Sequence, residues 1–164
     1  MKFKLNTNKR NVEACAGSNS APGDFFPQPQ SAQVRTADIA CFGAEERLRK
    51  HCWGQKVVYV HTTKKKTAEH EELVTERQIN QHLYEMMLPL ADPERNTIDK
   101  TRHSFIWRGQ YFEVDTYHAQ LQGLVMLETK GIAEGESLNL PPFLEIVKEV
   151  TGCKDYYNYN LALK

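Results

Sequence analysis

In the stretch 97–128 and just beyond it, charged residues recur at every second position (100 and 102, 113 and 115, 128 and 130), and apolar and charged residues alternate at 112–115. The alternation predicts strands at 97–107, 111–117 and 124–130, because a period of two is typical of a half-buried strand. Arg108-Gly109-Gln110 is a hairpin signal, since glycine adopts the positive φ that a tight turn requires. We therefore expect an antiparallel β-meander with one apolar face and one charged face.

The pattern elsewhere predicts shorter strands and two helices. Strands are expected at 47–49, 56–63 and 73–77, and a helix at 78–88 that ends before Pro89. The apolar face of that helix would be formed by residues at helical spacing: Ile79, Leu83, Met86 and Met87.

A second helix is expected at 143–150, with Pro141-Pro142 at its start and Gly152 just past its end. The fold class is therefore α+β, with an antiparallel sheet and peripheral helices.

Residues 1–36 differ in composition from the rest of the chain. They are rich in Ser, Asn, Gln, Pro and Gly, and residues 17–33 are expected to be disordered. We therefore divide the chain into a divergent or disordered N-terminal segment, 1–44, and a folded domain, 45–164.

Charge and composition exclude several classes of protein. The 164 residues include 21 Lys and Arg and 21 Asp and Glu, so the excess of positive charge expected of a nucleic-acid binder is missing. No apolar run reaches the roughly 18 residues of a membrane span, and no signal peptide is recognisable. The four cysteines lack the spacing of a zinc site, which favours free thiols and a cytoplasmic location.

Residues at every second position of a strand share a face of the sheet, so several charged side chains of the meander would lie on a single charged face. Its expected members are Lys100, Arg102, Glu113, Asp115, Glu128 and Lys130, and the strands before it could add Arg47, Arg49 and Lys64. Arg and Lys hold phosphate oxygens, and paired carboxylates hold Mg²⁺. The alternative is an ordinary solvated face, which antiparallel sheets often have.

Longer motifs on the same strands resemble the CYTH, or triphosphate tunnel, superfamily. The similar segments are Lys100-Thr101-Arg102, the run from Trp107 to Asp115, Gln122 to Glu128, and the end of the chain from Pro141. Within the superfamily, the chain is most similar to the C-terminal domain of the TRP-channel translocation-defect protein family. Two segments carry this likeness, Arg47-Leu48-Arg49-Lys50 and the run from Tyr59 to Lys65. The resemblance covers about residues 45–164.

The resemblance implies an antiparallel β-barrel or tunnel that takes triphosphate-like or phosphoinositide ligands. By position it implies phosphate-binding roles for five cations and metal-binding roles for three carboxylates. The cations are Arg47, Arg49, Lys64, Lys100 and Arg102, joined on the same face by Lys130. The carboxylates are Glu113, Asp115 and Glu128. No catalytic residue is predicted.

Two departures from the superfamily pattern lower the number of acidic side chains available to bind a metal ion. The opening ExExK strand is missing from residues 1–46, and Glu128-Thr129-Lys130 has a cation where the later ExE motif has a carboxylate. Bound Mg²⁺ is therefore expected to be weak or absent, because this ion relies on carboxylate and phosphate oxygens.

Three functional hypotheses remain. The first is non-catalytic binding of a phosphate-rich anion, with a phosphorylated small molecule or a phosphoinositide as partner, peripheral membrane contact and a role in trafficking. The second is a Mg²⁺- or Mn²⁺-dependent triphosphate hydrolase. The third is a remnant of the fold with a structural role.

Overall fold

The computed structural model describes residues 1–6, 30–39, 45–66, 72–131 and 137–164, and a nine-stranded sheet is its main feature. The strands are β1 (Lys2–Leu5), β2 (Gln30–Ile39), β3 (Glu45–Trp53), β4 (Lys56–Lys66), β5 (Glu72–Ile79), β6 (Ile98–Trp107), β7 (Gln110–Tyr117), β8 (Val125–Thr129) and β9 (Ile146–Glu149). Their order is β5-β4-β3-β2-β6-β7-β8-β1-β9. Among the described strands, β5 and β9 each have a single neighbour in this order.

The described residues also contain two short α-helices, α1 (Gln81–Met87) and α2 (Asn158–Leu161). Three 3₁₀ helices lie at Leu88–Leu90, Ala119–Leu121 and Lys154–Tyr156. The α+β fold class with an antiparallel sheet is thus confirmed. No helix in the described ranges is long and apolar enough to cross a membrane.

One compact unit consists of residues 1–32 and 100–154. Its apolar core lies on one face of β1, β7 and β8, and several side chains on the opposite face of β7 and β8 are buried as well. The core residues are Phe3, Leu5, Phe112, Val114, Val125, Leu127 and Leu144. Burial of this face fixes the register, because a slip of one residue would turn every apolar side chain to the opposite face.

The second compact unit consists of residues 33–99 and 155–164. In this unit β3 pairs with β2 and β4, and β4 also pairs with β5, all antiparallel. A smaller apolar cluster of Ile39, Leu48 and Tyr84 joins the sheet to α1. The core of each unit therefore lies on one face of its strands.

The meander is confirmed almost residue for residue. The predicted strands 97–107, 111–117 and 124–130 correspond to β6, β7 and β8. The two turn residues, Arg108 with φ 48° and Gly109 with φ 77°, both have positive φ, which matches the right-handed twist of a tight hairpin.

Both helix predictions need correction. Residues 78–79 belong to β5, and α1 begins at Gln81 because the Asn80 side chain accepts a hydrogen bond of 2.8 Å from the Leu83 amide. Of the predicted apolar face, Ile79 and Met87 do pack against the cluster of Ile39, Leu48 and Tyr84. The prediction is wrong for Leu83 and Met86, which are exposed.

The helix predicted at 143–150 is wrong. Residues 141–144 form a turn, in which the Leu144 amide donates to the Pro141 carbonyl at 3.1 Å. Residues Ile146–Glu149 then form β9, which pairs with β1. The proline pair favoured a helix start, but the unpaired edge of β1 provided a partner that local sequence could not reveal.

Strands β1 and β2 lie within the segment 1–44. The first pairs with β8 and β9, and the second pairs with β3. Of the stretch 17–33 that was expected to be disordered, residues 17–29 lie outside the described residues. Cys52 and Cys153 are free thiols, and Cys15 and Cys41 also lie outside the described residues.

Candidate functional site

Pairing between strands gathers the charged side chains of the first unit on one face. Arg102 lies opposite Asp115, and Glu113 lies opposite Glu128, which in turn lies opposite Lys2. Residues directly opposite each other in an antiparallel pair share a face. We call this the charged face and define it by Lys2, Lys4, Lys100, Arg102, Glu113, Asp115, Glu128, Lys130 and Lys148.

Asp115 is the centre of the charged face. Its Oδ1 lies 2.6 Å from Arg102 Nε, and its Oδ2 lies 2.7 Å from Arg102 Nη2 and 2.5 Å from Lys100 Nζ. Asp115 is fully buried and Lys100 is 2% exposed. A buried carboxylate with this number of charge-assisted hydrogen bonds is held firmly in place.

Glu113 and Glu128 extend the ion-pair network from this centre. Arg102 Nη1 lies 2.6 Å from Glu113 Oε2, and Arg102 Nη2 lies 3.6 Å from Glu128 Oε2. The Tyr111 hydroxyl donates to Glu113 Oε1 at 2.9 Å, and Lys2 Nζ lies 2.9 Å from Glu128 Oε1. Arg102 thus contacts all three carboxylates of the face.

The ion pairs set the protonation of the two deepest carboxyls. Burial alone would raise the pKa of Asp115, but the charges of Lys100 and Arg102 outweigh burial and lower it. Burial would likewise raise the pKa of Glu128, and the charge and hydrogen bond of Lys2 lower it instead. Both groups are therefore carboxylates at neutral pH.

The two cations bound to Asp115 respond differently to burial. Burial lowers the pKa of the Lys100 ammonium, and the charge of Asp115 opposes that effect. For Arg102, burial would lower the pKa, but hydrogen bonds and charges from the carboxylates raise it. Arg102 is therefore the permanent cation of the network.

Three lysines of the charged face lie outside this tight network. Lys4 and Lys148 lie directly opposite each other on β1 and β9, and neither has an ion pair with a described residue. The Lys130 side chain is 72% exposed, with Nζ 3.9 Å from Glu113 Oε2. Like charges directly opposite each other destabilise a strand pair, so this face holds positive charge that its own carboxylates do not balance.

The predicted cations of the second unit are also paired with carboxylates. Arg47 Nε lies 3.2 Å from Asp38 Oδ1, its Nη2 contacts Glu45, and Lys64 Nζ lies 4.0 Å from Glu45 Oε2. Burial raises the pKa of Asp38, and the charge of Arg47 opposes the rise. These cations form a cluster within their own unit.

Arg49 completes that cluster on the same strand. Its Nη1 lies 3.1 Å from Glu76 Oε2, which also accepts a hydrogen bond of 3.3 Å from the Thr62 hydroxyl. Each of the three predicted cations in the second unit therefore contacts at least one carboxylate.

The three predicted metal ligands already have partners within the charged face. Every carboxylate oxygen of Glu113, Asp115 and Glu128 lies within 3.6 Å of a nitrogen or hydroxyl donor. Glu113 Oε2 is an ion-pair partner of Arg102 Nη1, but it is buried and accepts no hydrogen bond from a described residue. Mg²⁺ needs oxygens free to approach to roughly 2.1 Å in octahedral geometry. These carboxylates do not offer such a set, and the described residues contain no group of three or more His, Cys, Asp or Glu side chains arranged for a metal.

Sequence reasoning missed the three lysines that β1 and β9 bring to the charged face. Lys2-Phe3-Lys4-Leu5 alternates strictly between cation and apolar residue, which is a strand signal. That signal was available, but it has lysines where an ExExK strand would have glutamates. Lys148 could not be found, because the residues around it were taken for a helix.

Solved structures with similar folds place this architecture among known proteins. A crystal structure of the hypothetical protein NE1496 is 25% identical, with a TM-score of 0.62, and covers 99% of this chain and 95% of that one. A crystal structure of the inorganic triphosphatase NE1496 is 24% identical, with a TM-score of 0.63, and covers 99% and 92%. The PH1819 protein from Pyrococcus horikoshii OT3 is 16% identical, with a TM-score of 0.50, and covers 79% and 77%.

No protein-family model matches the chain, and no curated protein matches it. The likeness to NE1496 nevertheless extends over nearly the whole length of both chains, and it agrees with the antiparallel sheet described above. The chain therefore has the CYTH-like fold of the triphosphate tunnel proteins.

Proposed function

We propose that the charged face binds a phosphate-rich anion such as triphosphate or polyphosphate, without cleaving it. The observation that carries the proposal is the charge of the face. Within the described residues, six cations share it with three carboxylates. The chain as a whole has equal numbers of basic and acidic residues, so this surplus is a local feature.

The surplus lies where a ligand can reach it. Lys130 and Lys148 are exposed and Lys4 is partly exposed, whereas Lys100 is buried against Asp115. Phosphate oxygens would therefore contact the accessible lysines first. We assign Lys100 to the support of the site, where it holds Asp115.

Arg102 would supply the second part of the recognition. Its side chain is 20% exposed, and its guanidinium is fixed by Asp115 on one edge. Each guanidinium nitrogen of Arg102 contacts a carboxylate, so Arg102 would contribute a fixed positive charge close to the phosphate oxygens rather than a free edge of donors. Together with the lysines, it would bind a chain of several phosphates better than a single one.

The ligand class is supported by the fold. One neighbour with this fold is the inorganic triphosphatase NE1496, which makes tripolyphosphate the first ligand to test. The resemblance to the translocation-defect family adds a phosphoinositide headgroup, and with it cytoplasmic trafficking and peripheral membrane contact, as a narrower form of the same proposal. Arg47, Arg49 and Lys64 of the second unit belong to the proposal as further phosphate-binding residues.

Thermal unfolding with and without tripolyphosphate tests the proposal. A ligand that binds only the folded state raises the melting temperature, and at one hundred times Kd the stabilisation is about 2.7 kcal/mol. We expect a rise with tripolyphosphate and a smaller one with sulfate at equal ionic strength. The double variant Lys4→Ala, Lys130→Ala should reduce the rise, and the matched control Lys56→Ala on the β3–β4 hairpin should not.

A melting temperature that tripolyphosphate does not change would contradict the proposal and favour a structural remnant. Vesicles separate the two possible sources of the ligand. Co-sedimentation with vesicles that contain phosphatidylinositol phosphate, but not with phosphatidylcholine vesicles, would support the phosphoinositide form. Binding of free tripolyphosphate alone would support the soluble ligand.

A triphosphate hydrolase is the second candidate, favoured by the likeness to the inorganic triphosphatase NE1496. It would require Glu113, Asp115 and Glu128 to act on the ligand, and each of them is held in ion pairs. Release of phosphate from tripolyphosphate with Mg²⁺ or Mn²⁺, abolished by Glu113→Gln, would establish it. We expect no release above the rate without protein.

A further inference from the structure

We propose that the charged face binds its polyphosphate without a divalent cation, and that lysines from β1 and β9 neutralise the ligand in place of a metal. The inference rests on the proposed function and narrows it. It concerns Lys2, Lys4 and Lys148, none of which the sequence alone assigned to the site. It is based on two observations: the carboxylates of the face are already paired with cations of the chain, and these lysines lie on the same face.

The carboxylates that would bind a metal are already neutralised by the chain itself. Both oxygens of Asp115 accept charge-assisted hydrogen bonds of 2.5–2.7 Å, from Lys100 and Arg102. Glu128 is held by Lys2 at 2.9 Å, and Glu113 by Arg102 at 2.6 Å. A divalent cation would have to break several of these pairs and leave buried cations without partners, which is costly.

Lys2 has the central role in this exclusion. It lies directly opposite Glu128, and its side chain is 16% exposed, so the ion pair is well shielded from water. The ammonium of Lys2 contacts Glu128 Oε1, whereas Arg102 contacts Oε2, so both oxygens face a cation. Lys2 is therefore a positioning residue that keeps Glu128 from acting as a metal ligand.

Lys4 and Lys148 supply the charge that a metal would otherwise bring. Their Cα atoms are partners across β1 and β9, beside a register irregularity between Lys4 and Leu5, and neither has an ion pair with a described residue. Two ammonium groups in this arrangement repel each other, which lowers the stability of the free protein. An anion bound between them would remove the repulsion, so the pair is suited to bind a phosphate group.

Calorimetric titration with tripolyphosphate tests the inference, once in EDTA and once in excess MgCl₂. We expect binding in EDTA. Added Mg²⁺ should leave the affinity unchanged or lower it, because Mg²⁺ also complexes the ligand in solution. Binding that appears only with Mg²⁺ would overturn the inference and keep the proposed function, whereas no binding in either buffer would contradict both.

The variant Lys148→Glu should change two quantities in opposite directions: the melting temperature of the free protein and the affinity for tripolyphosphate. The new carboxylate would pair with Lys4, so the melting temperature of the free protein should rise. The affinity for tripolyphosphate in EDTA should fall, by about tenfold for the loss of one favourable charge and the gain of one repulsive charge. The matched control Lys56→Glu should change neither quantity appreciably.

A fall in affinity with no rise in melting temperature would mean that Lys4 and Lys148 do not face each other. An unchanged affinity would mean that the pair does not contact the ligand, and either result would overturn its assigned role.

Mn²⁺ alone reports on metal binding without any ligand or activity. Water-proton relaxation with Mn²⁺ should show weak or no binding to the wild type. The variant Lys2→Ala releases Glu128, so its Mn²⁺ affinity should increase, and Lys2→Arg should behave as the wild type. Tight Mn²⁺ binding by the wild type at this face would contradict the inference.

Discussion

Arg102 and Asp115 lie directly opposite each other on β6 and β7, and they form a contact with two parallel hydrogen bonds. Arg102 Nε lies 2.6 Å from Asp115 Oδ1, and Nη2 lies 2.7 Å from Oδ2. The remaining guanidinium nitrogen reaches Glu113 at 2.6 Å. One arginine therefore organises the carboxylates and also presents the fixed cation of the proposed site.

Removing the charge of Asp115 should strongly destabilise the protein. Asp115→Asn leaves the buried Lys100 ammonium without its counter-ion, and loss of one partner of a buried pair costs about 3–5 kcal/mol. Urea unfolding monitored by circular dichroism would measure the loss. The control is Glu113→Gln on the same strand, which should cost less because Arg102 keeps its contacts with Asp115.

A double variant checks the cause of that loss. Lys100→Met in the Asp115→Asn background removes the stranded ammonium, so the two losses should not add. Additive losses would show that the two side chains are not coupled. A loss for Asp115→Asn no greater than that for Glu113→Gln would contradict the central position of Asp115.

Acid should weaken the fold through the same carboxylates. The pKa values of Asp115 and Glu128 are lowered in the folded protein, so their contribution is present above the unfolded values of about 4 and is lost as pH falls through the folded values. Free energies of unfolding from pH 7 to pH 3 should therefore decrease on the acid side. Lys2→Ala should make the decrease shallower, because Glu128 then lacks the partner that lowers its pKa.

If the wild type and Lys2→Ala lost stability in parallel over that range, Lys2 would not be the partner of Glu128 in solution. Lys56→Ala is the matched control and should follow the wild-type curve.

The turn between β6 and β7 offers a test in the stabilising direction. Arg108 has φ 48°, a left-handed conformation that costs most side chains about 1–2 kcal/mol and that Asn tolerates better. Arg108→Asn should therefore raise the free energy of unfolding by up to about 1 kcal/mol. Gly109→Ala, at φ 77°, should lower it, and a loss of stability in both variants would argue against this turn geometry.

Much of the charged face followed from strand parity. Lys100, Arg102, Glu113, Asp115 and Glu128 lie on one face because side chains alternate along β6, β7 and β8. The alternation places these residues on one face, but it does not show which cation pairs with which carboxylate. Whether a lysine faces a ligand or a buried carboxylate depends on rotamers and on strand register, and the burial of Lys100 could not be read from spacing.

The order of the strands in the sheet could not be predicted from the sequence, for a different reason. Pairing of β1 with β8 joins residues more than one hundred positions apart, such as Lys2 and Glu128. No local pattern encodes such a partner. The same contact explains the wrong helix at 143–150, because β9 forms only against the free edge of β1.

A two-dimensional ¹H–¹⁵N titration with tripolyphosphate in EDTA tests most directly that the charged face is the binding site. The Arg102 Nε–H signal should shift progressively to saturation. The indole N–H of Trp107 should change little, because Trp107 lies on the apolar face of the same strand and packs edge-on against Phe143. No shift of Arg102 at saturating ligand, or shifts confined to residues away from this face, would contradict the account.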